Sequence, residues 1–306
     1  MSEKRDLHVM ISFDMESDIG SWTSNHEGVS KATGPLLELL DRNHVHSTFF
    51  YTGDAARACP DSLKAVKLAG HEIGCHTLHH ESMGDPLVDM PVPPVLSEEV
   101  HNRLAKATDL LENLTGVRPV SFRAPRGWAS AEMMVALDDL GYLVDSSYMN
   151  WYFREHFIPY HPSADDWTKP GDLGILEVPL LCDASVAKGD GSERDVDQWP
   201  KLRTQGGDRF AKMILDVAEL LWQQGKPAVA CLYLHPWEFI AMPPVIETDE
   251  ARIEFVEILW KNTGATALKE LDTLIGALRE AGATYHTLLD FRNVWVNEIQ
   301  LRGAKR

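Results

Sequence analysis

Short, continuous apolar runs alternate with amphipathic stretches along most of the chain. LHVMISF (7–13) meets acid at Asp14, and STFFYT (47–52), EIGC (72–75), ILEVPLL (175–181) and AVACLYL (228–234) are further runs of the same kind. Runs rich in β-branched and aromatic residues, with no polar face, read as strands covered on both sides, as in parallel sheets. Helix patterns lie between them. KATGPLLELLDRN (31–43) reads as a short helix. Pro60 opens DSLKAVKLA and Gly70 closes it, and Ser97, with Glu99 and Val100, opens SEEVHNRLAKATDLLENL, which Gly116 ends. AEMMVALDDLGY (131–142) and ALKELDTLIGALREAG (267–282) are two more helices, and TYHTLLDF (284–291) reads as a final strand. Strands that alternate with helices imply parallel pairing through right-handed crossovers. About seven such units predict an α/β barrel rather than an open sheet.

Three stretches lack periodicity: 82–96, 146–170 (rich in Tyr, Trp, Phe and Pro) and 185–206 (rich in Asp and Gly). Loops of that length in a compact domain are more often functional than decorative, and these are expected to wall a cleft. With no repeat and no low-complexity linker, the chain reads as a single domain over 1–306, the three stretches being insertions.

Composition narrows the function classes. Hydrophobic residues make up 44% and charged residues 25%, which excludes a disordered chain, a collagen-like repeat and a long coiled coil. Lys and Arg number 29 against 46 Asp and Glu, a net charge of −17 that repels phosphate backbones and argues against nucleic-acid partners. The four cysteines, Cys59, Cys75, Cys182 and Cys231, are widely spaced and form no CxxC pair, which argues against a disulfide framework and a thiolate zinc site. No run is long enough to span a membrane, and the opening MSEKRDLHVMISFD has no signal-type apolar core. A cytoplasmic location is the expectation.

Four polar clusters fall where the expected strands end, the end at which a parallel barrel gathers its chemistry. The first is Asp14, Glu16 and Asp18 in FDMESD. In an extended chain these share one face, so either a cation relieves their repulsion or they fan into solvent in a loop. The second is GHEIGCHTLHH, where one helical turn would set His76 beside His80, with His79 close by, and imidazole nitrogens suit divalent transition metals. The alternative is a packed or surface histidine cluster. The third is FRAPRGW, where Pro125 fixes the turn around Arg123. That arginine is either a surface charge or a rigid partner for a carboxylate. The fourth is CLYLHPWEF, an apolar strand that ends in Leu234 and His235 and is locked by Pro236, with a histidine suited to proton transfer near neutral pH.

These pieces occur in a familiar order. HSTFFYTGDAARACPDSLKAVKLAGHEIGCHTLHH (46–80), with FDMESD before it and FRAPR, GYLVDSS and LYLHPWE after it, resembles the polysaccharide deacetylase family, also called the NodB-homology domain or carbohydrate esterase family 4. The HPWE ending is most similar to the intracellular branch, which holds peptidoglycan-deacetylase-like and allantoinase-like proteins. The resemblance implies a deformed (β/α) barrel of about seven strands. It also implies one divalent metal and hydrolysis of a non-peptide C–N amide bond. The implied substrate is an N-acetylated amino sugar or polysaccharide. The alternative is a small amide such as a cyclic imide, an allantoin-like ureide or a formamide. A non-catalytic carbohydrate-binding member is a third reading.

Carried over by position, His76 and His80 are implied metal ligands and Asp14 the general base. The third ligand falls on Glu16, where the family pattern has Asp, so Asp18 or a metal-free site stays open as an alternative. Arg123 matches the arginine that pairs with the base, His235 the general acid, and Leu234 the residue that lines the acetyl-methyl pocket. Asp145 is the candidate to orient His235, although the usual Asp-Trp pair nearby reads Asn150-Trp151 here. Substrate contacts are expected from Trp237, Trp151 and Trp22, within a wider aromatic group of Tyr148, Tyr152, Phe153, Tyr160 and Trp167 that either stacks on sugar or fills core. Two imidazoles and a carboxylate point to zinc, with nickel, cobalt or manganese as alternatives. Aromatic loops and the PPVI segment after HPWEF point to a homo-oligomer.

Overall fold

Seven parallel strands carry the centre of the molecule, which the computed structural model describes over residues 5–20, 23–88, 92–185, 198–247 and 252–299. They are β1 (Leu7–Met15), β2 (Thr48–Tyr51), β3 (Glu72–Cys75), β4 (Ser121–Phe122), β5 (Val144–Asp145), β6 (Leu176–Glu177) and β7 (Ala228–Leu234). β1 to β6 lie side by side in sequence order, and β7 lies on the other side of β1, with Phe13 opposite Phe49 in one register and Leu234 in the other. Beyond β6 the sheet curls back on itself. Leu180 bridges Cys231 of β7, and the Leu181 N–H donates to the Cys231 carbonyl at 3.0 Å. That bridge draws the two ends of the sheet together, so the architecture is the expected deformed (β/α) barrel. A hairpin of β8 (Val245–Glu247) and β9 (Arg252–Glu254) stands apart, and β10 (Ala283–Tyr285) runs parallel to the start of β1.

All nine residues of β1 are buried, as expected of a strand with neighbours on both edges and helices outside. The helices Glu27–Arg42, Pro60–Leu68, Ser97–Thr115, Ala131–Asp139, Gly207–Gln223 and Ala265–Glu280 each turn an apolar stripe inward. Among the described residues no helix is long and apolar enough to cross a membrane.

Several boundaries differ from the sequence reading, each for a local reason. The first helix starts at Glu27 rather than 31, because the Asp18 carboxylate accepts the N–H groups of Glu27 and Gly28 at 3.0 and 2.8 Å and satisfies its first turn. The expected final strand ends at Tyr285. Thr287 accepts the N–H of Asp290 at 3.1 Å and starts the helix Leu288–Val294 instead. ILEVPLL contributes two ladder residues and the Leu180 bridge, since Pro179 has no N–H to give. The long helix begins at Ser97 as read, with Leu96 at its cap and no side-chain cap bond. The 185–206 stretch contains the helix Trp199–Gln205, opened by Pro200, while 186–197 lies outside the described residues.

Candidate active site

The carboxyl ends of β1, β3, β4 and β7 point the same way, and each delivers a polar group. Asp14 sits inside β1, opposite Phe50, and the chain then turns tightly, with the Glu16 N–H donating to the Asp14 carbonyl at 3.1 Å. Alternation along β1 puts Ser12 and Asp14 on one face. Arg123 leaves β4 toward that face, with only 2% of its surface exposed. Its Nη1 donates to Asp14 Oδ1 at 2.8 Å and to the Ser12 hydroxyl at 2.7 Å. Its Nε donates to the Ser146 carbonyl at 2.9 Å and its Nη2 to the Ser146 hydroxyl at 3.1 Å. The guanidinium carbon lies 4.4 Å from the centre of the Phe50 ring. One oxygen of Asp14 is therefore held by a rigid, buried cation.

Glu16, His76 and His80 come together beside this pair. Their potential ligand atoms lie within 4.8 Å of one another. Glu16 Oε2 is 3.1 Å from His76 Nε2 and 2.5 Å from His80 Nε2. Burial works to raise the Glu16 carboxyl, but the facing imidazoles outweigh it and hold it well below the usual carboxylate range. His76 Nδ1–H donates to the Arg123 carbonyl at 2.8 Å, which fixes the ring so that Nε2 faces Glu16. An outer hydrogen bond of this kind orients a metal-ligating histidine, and two imidazole nitrogens with one carboxylate make a donor set that fits a divalent transition metal. The residues present fit the implied cation.

The histidine segment is not the helical turn expected from its spacing. Residues 76–80 form a bend in which Thr77 and His80 have φ of 67° and 58°. A β-branched residue in the left-handed region is strained, and neighbouring structure must hold it there. The carbonyls of Thr77 and Leu78 do so by accepting the first N–H groups of the helix Gly53–Ala58, both at 3.0 Å. The bend sets the His76 and His80 rings 5.1 Å apart and turns His79 outward, where it meets Asp54 at 2.9 Å.

His235 directly follows β7, and its Nε2 is 3.9 Å from Glu16 Oε1. Its Nδ1 lies 3.3 Å from Glu238 Oε1, and its backbone N–H donates to the same oxygen at 2.9 Å. Glu238 is itself anchored by the buried Arg203, whose Nε donates at 3.0 Å. Burial works to lower the His235 pKa, but the Glu238 hydrogen bond and the charges of Glu16, Glu238 and Asp14 outweigh it and push it up to about 9. Trp237 is buried and stacks on the His235 ring, with centroids 5.7 Å apart and planes 25° apart, and Leu234 is buried one residue before.

Other expected site residues lie elsewhere. Asp18 spends both carboxylate oxygens on the helix start at Glu27 and Gly28, so Glu16 is the carboxylate that meets the histidines. Asp145 is corrected as the orienter of His235. It accepts the Ser147 hydroxyl at 2.8 Å and pairs with Glu177, whereas Glu238 stands at His235 Nδ1. Trp151 is 3% exposed, with Arg154 over its ring at 5.4 Å, and Tyr148, Phe153, Tyr160 and Trp167 pack on one another as core. Trp22 lies outside the described residues. Ser12, Ser146 and Glu238 were missed from the sequence. A lone serine two residues before Asp14, and a glutamate three residues after His235, were the available signals.

Residues 2–144 match the model of the polysaccharide deacetylase family. The matched part includes Asp14, Glu16, His76, His80 and Arg123, while His235 and Glu238 lie beyond it. Over 161 residues the chain is 30% identical to a peptidoglycan deacetylase-like protein of Gibberella zeae, covering 48% of this chain and 45% of that one. A peptidoglycan deacetylase of Helicobacter pylori is 28% identical over 157 residues, 47% of this chain and 50% of its own. The chain thus spans about half the length of the curated relatives it matches. The crystal structure of a Mycobacterium smegmatis protein, provisionally called a polysaccharide deacetylase, superposes with a TM-score of 0.63 at 18% identity, covering 100% of this chain and 93% of that one. At that identity the likeness is one of fold.

Proposed function

We propose that this chain, which through residues 2–144 belongs to the polysaccharide deacetylase family, removes the acetyl group from an N-acetylated amino sugar by hydrolysing its amide bond. One observation carries the reading. A Glu-His-His cation site, a carboxylate held by a buried arginine and a histidine held by a buried glutamate gather at the carboxyl ends of parallel strands. Amide hydrolysis needs a base for water, a positive charge for the developing oxyanion and an acid for a poor leaving group.

Glu16, His76 and His80 would hold the cation, with zinc the first expectation for this donor set. Such a cation, when bound, acidifies water and polarises a carbonyl oxygen. Asp14 takes the proton of the water that attacks the acetyl carbon, and Arg123 keeps the receiving carboxylate aimed. The C–N bond then breaks, and His235 gives its proton to the departing nitrogen. Acetate and a free amine are the products. Glu238, at His235 Nδ1, favours the protonated ring and so helps to load the acid before the bond breaks.

The peptidoglycan deacetylase names of the relatives support a carbohydrate substrate. The test is a product screen with the metal-loaded protein. Chito-oligosaccharides and peptidoglycan fragments are set against a hydantoin, a succinimide and a formamide. Acetate and free amine in equal amounts from the sugars are expected. Turnover of the small amides without acetate release would instead identify a small-molecule amidohydrolase. Inertness toward both, with metal bound, would identify a binding protein.

A further inference from the structure

A second acidic pair lies beneath Arg123. Asp145 on β5 and Glu177 on β6 occupy paired positions of adjacent parallel strands, so their side chains leave the sheet on the same face, and both are completely buried. Their carboxyl groups lie close enough for each to act on the other's charge. Glu177 Oε1 accepts the N–H groups of Ser147 and Tyr148 at 3.1 and 2.9 Å, and Asp145 Oδ1 accepts the Ser147 hydroxyl at 2.8 Å. Asp145 Oδ2 and Glu177 Oε2 receive no donor from any described residue. Two carboxylates cannot meet in a dry interior as anions, because each would lose its hydration and face a like charge.

We propose that Asp145 and Glu177 share one proton between Oδ2 and Oε2, and that this acid pair positions Arg123 and, through it, Asp14. The pair fixes the turn at 146–148. Ser147 passes the restraint to the segment after β4 by accepting the Ala124 N–H at 2.8 Å. Ser146, in the same turn, holds Arg123 by its carbonyl and hydroxyl and donates its own proton to the Val178 carbonyl at 2.8 Å. Arg123 is thereby gripped along Nε and Nη2, which leaves Nη1 free to serve Asp14 and Ser12. Burial raises both acids. The Asp145 charge raises Glu177 further, while the Arg123 charge draws Asp145 back. The remaining titratable neighbours are Tyr148 and Tyr160 from the loop between β5 and β6, Cys231 from β7, and Asp14 beyond the guanidinium.

The effect on turnover rests on Asp14 being the base, whereas the shared proton does not, so the two are tested separately. Infrared spectra of the full chain at neutral pH should contain a protonated-carboxyl C=O band that shifts on hydrogen–deuterium exchange and vanishes in Glu177→Gln. That variant keeps an oxygen for the two N–H groups and offers an N–H to Asp145. Its kcat should stay well above that of Glu177→Ala, which strands those groups and should lose about 10–100-fold in kcat at a nearly fixed KM. A spectrum that loses no such band overturns the shared proton. Equal kcat losses in the Gln and Ala variants overturn the positioning role. If the Ala variant does not fold, the infrared comparison of wild type with Glu177→Gln still decides the proton.

Discussion

Two arginines, each buried out of water, stand behind the two groups that would move protons. Arg123 holds Asp14 directly, and Arg203 holds His235 through Glu238. Such pairs add little net stability, because desolvation offsets much of the attraction, but removing one partner strands a buried charge at a cost of about 3–5 kcal/mol. What they supply is aim. Asp14→Asn keeps the shape and removes the proton acceptor, so kcat should fall by about 10²–10⁴ while the fold persists, as steady-state kinetics and circular dichroism would report. Unchanged turnover would remove Asp14 from the mechanism. Asp14, His76, His80, Arg123 and His235 were legible in the sequence because each sits in a distinctive ordered motif. Ser146 and Glu177 were not, since they act through burial and through backbone contacts that no spacing announces, and Glu238 left only its three-residue spacing from His235 as a signal. The left-handed Thr77 and His80 carry no glycine to advertise them.

Elements hold these residues through close approaches. The helix Glu27–Arg42 sets its first turn against the segment that carries His235. A Cβ on Gly28 would lie 2.4 Å from Trp237 N and 2.5 Å from Trp237 Cα, and backbone cannot yield there as a side chain can. Gly28→Ala should cost about 1–3 kcal/mol of stability and lower kcat, because it pushes on the residues that follow His235. Gly34→Ala in the same helix, with nothing within 4 Å, should leave kcat near wild type and raise the melting temperature, since alanine favours a helix interior by about 0.5–1 kcal/mol. Equal behaviour of the two variants would contradict this packing account.

The β2–β3 edge holds a pH-sensitive tie. His71 is buried at the head of β3, and its Nδ1 accepts the Ser47 N–H at 3.1 Å. Burial, then the neighbouring His46, lowers its pKa from 6.5 to about 4. The unfolded chain binds a proton near 6.5 that the folded chain refuses until about 4, so stability present above 6.5 declines as pH falls through that window. His71→Asn, whose amide oxygen can accept the same N–H, should show a smaller drop in melting temperature across that window. An identical drop would show that His71 does not carry it. The strands β1, β2, β3 and β7 were legible as short, largely apolar runs. β4 and β5 were not, since two ladder residues leave no periodicity to read, and β6 was overestimated because Pro179 breaks an apolar run.

Across the whole molecule, parallel strands in one curled sheet bring residues 14, 16, 76, 80, 123 and 235 to a single end, although they are spread over most of the chain. Alternating strands and helices made that architecture readable. The aromatic-rich loop expected to form a substrate wall instead fills core over Tyr148, Tyr160 and Trp167. Composition alone does not tell a packed ring from an exposed one. The account turns on Glu16 completing a cation site with His76 and His80, while Asp18 only caps a helix. The direct measurement is metal content per chain, by elemental analysis, in wild type, Glu16→Ala and Asp18→Asn. The prediction is one divalent ion in wild type and in Asp18→Asn, and none in Glu16→Ala, with hydrolysis lost alongside it. Full metal content in Glu16→Ala, or loss of the ion from Asp18→Asn alone, would contradict it.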